Sequence, residues 1–125
     1  MKKLLFIVLM IPLLANASNW VYVDKNSYGD TFFVDSQSTQ RSGNSVTFWE
    51  KVNYGTRGKY GDLSAKLNST INCKTREKIN RYSMFYDDLD NTGKLTTSGA
   101  TTSEQWEPIA PDTITEGIMK FVCKR

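Results

Sequence analysis

Few side chains in this sequence could carry out a reaction. Its 125 residues include 13 acids, 16 Lys or Arg, and no histidine. Without imidazole there is no Ser-His or Cys-His nucleophile pair and no histidine-held zinc. Ser-x-x-Lys, Gly-x-Ser-x-Gly and the Gly-x-x-x-x-Gly-Lys phosphate loop do not occur. A carboxylate pair could still hydrolyse a glycoside, which needs two acids about 5 to 9.5 Å apart in one cleft. The acids here fall mostly in turn-like segments, and no spacing sets two of them across a cleft. Asp88-Leu89-Asp90-Asn91-Thr92-Gly93 has the opening of a calcium loop. However, Thr92 stands at its fifth position, and Gly99 stands at its twelfth, where a bidentate Glu is needed. Asp, Asn and Gly are turn formers, so a strand connection is expected there. Asn68-Ser69-Thr70 fits the glycosylation sequon but falls inside an expected strand. The chain therefore reads as a non-enzyme with no catalytic residue, no metal ligands and no cofactor.

The remaining reactive pair is Cys73 and Cys123, the only cysteines. Two free thiols or a homodimer through intermolecular disulfides are the alternatives to a bond between them. The chain's start favours oxidation. Met1-Lys2-Lys3 precedes eleven residues from Leu4 to Leu14, apolar except for Pro12, and Ala15-Asn16-Ala17 is a small-x-small cleavage site. Residues 1–17 are thus expected to be a secretory signal peptide, with residues 18–125 as one domain. The apolar run is shorter than the roughly 20 residues that span a bilayer. No cysteine follows the cleavage site, so the product is expected to be exported to the periplasm or beyond without a lipid or membrane anchor. Export permits a disulfide. A bond closing a loop of about 50 residues would stabilise the fold by roughly 4 kcal/mol in the chain-entropy model. Loss of Lys2 and Lys3 lowers the formal net charge from +3 to +1. That charge is scattered, which argues against a nucleic-acid partner.

The elements that must position these groups follow from periodicity. Trp20-Val21-Tyr22-Val23 and Thr31 to Asp35 read as strands joined by a polar turn. Ser36 to Asn44 is polar, with room for one helical turn. From Ser45 to Tyr54, Val46, Phe48, Glu50 and Val52 alternate with Thr47, Trp49, Lys51 and Asn53. Both sets carry apolar groups, which predicts a central strand covered on each side. Gly55, Gly58 and Gly61 mark a loop. Leu63, Ala65, Leu67, Ser69, Ile71 and Cys73 then share one parity, and Ser64, Lys66, Asn68, Thr70 and Asn72 the other. This predicts one buried face and one wet face. Lys78 to Tyr86 is a further strand, expected to set Tyr82, Met84 and Tyr86 opposite Ile79, Arg81 and Phe85. Leu95 to Ser98 is a short one. Pro108 and Pro111 hold an extended segment. Thr113 and Glu116 then have capping-box spacing, and Ile114, Ile118, Phe121 and Val122 make a helical stripe. Cys123 lies about 140° from Ile118 on that helix, so the last turn is expected to roll or unwind to reach Cys73. The fold class is α+β: a mainly antiparallel sheet with a C-terminal helix docked on it.

Binding, if not catalysis, must use the surface. Arg57, Lys59 and Tyr60 on the glycine-rich loop, and Arg76, Lys78 and Arg81 near Cys73, could form a basic patch for an acidic partner. A solvated face is the plainer reading of such charges. Trp20, Trp49 and Trp106 with six tyrosines could make a contact surface. For Trp20 and Trp49, packing within core and sheet is expected.

A set of short blocks in this order resembles the surface-adhesin protein E family of exported bacterial proteins. They are Trp20-Val21-Tyr22-Val23, Phe33-Val34-Asp35 with Ser38, Arg41-Ser42-Gly43-Asn44, Val46-Thr47-Phe48-Trp49 and Asn72-Cys73. Trp106-Glu107-Pro108-Ile109-Ala110-Pro111 with Thr113, and Phe121-Val122-Cys123, complete the set. The resemblance implies an antiparallel sheet of about six strands with a C-terminal helix tied by the disulfide. It also implies no enzyme, and binding to host extracellular-matrix or serum proteins. Such adhesins are held on the outer membrane by a lipidated cysteine, which this chain lacks. The other reading is therefore a periplasmic protein of the same fold: a small-ligand carrier, an envelope factor or an enzyme inhibitor.

Overall fold

A computed structural model describes residues 17–101 and 104–124. The expected signal peptide, apart from Ala17, lies outside the described residues. Strands β1 (Trp20–Lys25), β2 (Thr31–Asp35), β4 (Ser45–Asn53), β5 (Ser64–Asn72), β6 (Glu77–Tyr86) and β7 (Leu95–Ala100) form one antiparallel sheet in the order β1-β2-β4-β5-β6-β7. Two short strands extend it beyond the expected six. β3 (Gln40–Ser42) pairs with β4 where β2 has ended, in the segment that was expected to be a loop or helical turn. β8 (Glu107–Pro108) pairs with the start of β6. Helix α1 (Ile114–Cys123) closes the chain.

Register decides which side chains share a face, because cross-strand partners point the same way. On one face lie Val34, Val46, Phe48 and Ile71. With Ile109 and with Ile118, Met119 and Val122 of α1 they form the buried core. Met119 belongs to the buried stripe although periodicity set it aside. Cys123 follows it by four residues, so Cys123 sits over a core-facing position and needs no unwinding. The helix stays regular through Cys123, and Lys124 caps it in a right-handed conformation. The Cys73–Cys123 disulfide forms with Cα atoms 5.9 Å apart.

The N-terminus of α1 departs from an ideal capping box. Thr113 Oγ1 accepts from the Glu116 N–H at 3.2 Å, as expected, but Glu116 Oε1 accepts from the N–H of Asp112, not of Thr113. Glu116 also pairs with Arg76 on the β5–β6 turn and with Lys120. The Asp112 N–H, ahead of the Arg76 guanidinium, holds its carboxyl below the usual range despite burial. Arg76 is left-handed (φ 59°), a conformation that costs a non-glycine residue about 1 to 3 kcal/mol unless its surroundings hold it. Here its carbonyl accepts from Ile109 N–H at 2.9 Å and its side chain reaches the helix.

The opposite face has no helix. β4 is central, as expected: the helix covers one side, and on the other Lys51 is buried against Trp20, Phe33 and Asp90. Trp20, Phe33 and Trp49 lie half-buried on the open side with Thr47, Lys51, Lys66 and Asn68. The tryptophans are thus outside the apolar core. The wet face of β5 is also less wet than its alternation predicts. Ser64 is buried under the β6–β7 turn, donating to Asp88 O and accepting from Asn91 N–H. Thr70 is buried beneath Arg81 and beside Thr47. A bulge explains the parity of β6. Asn80 pairs with Ser69 and Tyr82 with Asn68, leaving Arg81 as the extra residue. An extra residue resets alternation. Ile79 and Arg81 therefore share the open face with Tyr82, Met84 and Tyr86, while Phe85 alone of the expected opposite set faces the helix side.

Candidate functional site

One end of the sheet is the row Lys25, Thr31, Asn53, Ser64, Tyr86 and Leu95. Three connections leave this end: the β1–β2 turn, the β4–β5 loop and the β6–β7 turn. Each is built from the residue types its backbone needs. In the first, Asn26 Oδ1 accepts from the N–H groups of Tyr28 and Asp30, an Asx turn. In the second, Gly58 N–H donates to Asp62 O and Gly61 (φ 84°) N–H to Gly58 O. In the third, Asp88 caps a single 3-10 turn at Leu89–Asn91, and Asp87 Oδ1 accepts from Lys94 N–H. The acids of the calcium-like segment thus serve as caps and braces of a turn, and no group of potential metal ligands assembles among the described residues.

The three connections are tied to one another. Gly55 N–H donates to Asp30 Oδ1 at 2.9 Å. A Cβ at Gly55 would stand 2.3 Å from Tyr28 O, so only glycine allows the two backbones this close. Arg57 donates to Gly61 O at 2.7 Å and to Asp87 O at 2.8 Å, bridging the second connection to the third. Asp90 Oδ1 accepts from Lys51 Nζ at 2.9 Å and Asn53 Nδ2 at 2.8 Å, fastening the third to β4. The Asn53 amide first, then Lys51, holds the Asp90 carboxyl below its ordinary value. Tyr54, beneath the cluster, is pushed up to about 12 by burial and by the charges of Asp62 and Asp30, so it stays neutral.

On this braced platform stand apolar groups in water. Among the described residues, the exposed large hydrophobics are Tyr28 (81%), Tyr60 (73%), Tyr22 (55%), Leu89 (45%) and Leu95 (42%). All but Tyr22 belong to this end. Lys59 Nζ lies 5.6 Å from the Tyr60 ring. The arrangement offers contact area and hydrogen-bonding hydroxyls on loops whose conformation is already fixed, which lowers the entropy cost of binding.

The six surface residues singled out from sequence do not form one patch. Arg57, Lys59 and Tyr60 share the loop end. Arg76, Lys78 and Arg81 lie near the other end of β5, roughly 30 Å away at 3.3 Å per residue over nine residues. Arg76 pairs with Glu116, and Lys78 with the buried Glu50 at 2.8 Å, which also accepts from Ser69 Oγ. Arg81 alone of these three is on the open face, 6.0 Å over the Trp106 ring. Sequence reasoning missed Tyr28, Leu89 and Leu95. The available signal was an aromatic at the tip of Asn26-Ser27-Tyr28-Gly29, where turn chemistry leaves no neighbour to bury it. A groove of about 580 Å³ between β6, β8 and the start of α1, lined by residues including Lys78, Asn80, Glu107 and Thr113, gathers no catalytic or ligating constellation.

The sequence profile of the surface-adhesin protein E family matches residues 20–124. Solved structures of Haemophilus influenzae protein E share the fold. One crystal form superposes with a TM-score of 0.63 at 19% identity, covering 84% of this chain and 87% of that one. Another, from a non-typeable strain, gives 0.59 at 20% identity over 84% and 75%. A search of curated proteins gives no match.

Proposed function

The chain belongs to the surface-adhesin protein E family, and on that premise we propose that it is a non-catalytic binding module whose loop end engages a host extracellular-matrix or serum protein. The observation that carries this reading is the loop end itself: Tyr28, Tyr60 and Leu89 held in water on three connections braced by hydrogen bonds, with Leu95 exposed beside them at the start of β7. Tyr and Trp anchor interfaces because they bury large areas at small entropic cost. Arg57, Lys59 and Tyr60 are assigned to this surface, Arg57 as a brace and the other two as contacts.

Two measurements test the reading. Protease added to intact cells should digest the protein while a periplasmic marker survives. Protection until the outer membrane is opened would sink the host-binding assignment. In parallel, the Tyr28→Ala, Tyr60→Ala variant should keep its stability to within about 0.5 kcal/mol, as exposed substitutions do. It should lose about tenfold or more in binding to immobilised matrix or serum proteins, as interface anchors do. Undiminished binding would move the site elsewhere.

A further inference from the structure

We infer that the open face of the sheet is a second docking surface, one that takes an acidic extended peptide segment. It is independent of the loop-end reading and rests on different residues. Arg76, Lys78, Lys51 and Lys120 each meet a carboxylate within 3.5 Å. Lys66 and Arg81, at the middle of the open face, have no carboxylate partner among the described residues. Lys66 Nζ lies 4.8 Å over the Trp49 ring, while Arg81 donates to Thr70 Oγ1 and lies over Trp106. The open-face positions of β4, β5 and β6 in the register include Trp49, Lys66, Thr70, Tyr82 and Met84, and one acid, Glu77, which stands opposite Asn72 at the end of β5 and forms no ion pair with either cation. Two uncompensated cations thus lie among half-buried Trp, Tyr and Met, the types that anchor interfaces.

Spacing selects the partner's class. Arg81 sits at Thr70, four residues along β5 from Lys66, or about 13 Å at strand rise. Carboxylates four residues apart on an extended peptide have that same separation. Two cations so far apart are too sparse for a nucleic-acid backbone, with a charge about every 1.7 Å along a duplex. The Arg81 bulge creates the arrangement, because in an unbulged strand Arg81 and Tyr82 would point to opposite faces.

The probe is a labelled ten-residue Gly/Ser/Thr peptide with glutamates four residues apart. It is compared with its glutamine twin by anisotropy against the protein purified from the envelope. The glutamate peptide should bind about tenfold or more tightly than its twin, the worth of one charge-assisted contact. Lys66→Gln with Arg81→Gln should abolish the difference, Lys66→Arg should keep it, and the Tyr28, Tyr60 variant should bind the peptide unchanged. Should the double glutamine variant fail to fold, Lys66→Gln against Lys66→Arg decides the matter. Equal binding of the two peptides, or an unaltered difference in the glutamine variants, overturns the inference. So does displacement of the peptide by a heparin fragment at lower concentration than by unlabelled peptide, which would assign the face to an anionic glycan.

Discussion

The two ends of the sheet are held by different forces. At the Cys73 end, apolar burial, a covalent bond and the Arg76–Glu116 pair fasten α1 to the sheet, and little apolar surface stays in water. At the loop end, no helix covers the row from Lys25 to Leu95. Order there comes from hydrogen bonds between turns, and the large side chains point outward. Burial is non-directional and drives the fold, whereas hydrogen bonds add little net stability but fix geometry. One end therefore supplies stability and the other a shaped surface.

The contrast can be broken most severely at the covalent end. Cys123→Ser should cost about 2 to 5 kcal/mol, read as a lower urea midpoint than the oxidised protein. An unchanged midpoint after reduction would refute the staple. The loop end should respond less to its most crowded substitution. Gly55→Ala pushes a methyl into Tyr28 O and should cost about 1 to 3 kcal/mol, the range for overpacking. Amide shifts should concentrate in 26–30 and 54–62, and shifts spread through α1 would show that the ends are not independent. The smallest effect is expected at Asp90→Asn, about 1 kcal/mol: Asp90 is exposed although its partner Lys51 is buried, and the amide oxygen of the variant can still accept from Lys51 and Asn53. Its sign with pH is fixed by the lowered folded-state value. The contribution is complete above the ordinary value of 3.8 and is lost as pH falls through the lower folded one. The gap between wild type and variant should therefore close on acidification. A gap that persists to pH 2 would assign the effect to shape instead of charge.

Much of the architecture is visible in the linear pattern because it depends on near neighbours. The alternation through Val46, Phe48 and Ile71, the proline-bounded segment before Thr113 and the stripe of Ile114, Ile118 and Val122 each report a local period. The misses share a cause, which is that they depend on what lies across the sheet. Trp49 looks like a core residue until the helix is found on the other face. Ser64 looks wet until the β6–β7 turn folds over it. Arg81 appears opposite Tyr82 until pairing with β5 reveals the bulge. Tyr28 and Tyr60 are 32 positions apart in the chain, and only the Gly55–Asp30 contact puts their loops side by side.

The sequence by itself determined the six main strands and the helix, the antiparallel plan, the helix start and the one intramolecular cysteine pair available, because propensity, periodicity and capping act within a few residues. Only the tertiary structure decided which face the helix covers, which cations keep a carboxylate and which aromatics remain in water. Those outcomes depend on register and on long-range burial, where one extra residue in β6 brings Tyr82 to the same face as Arg81.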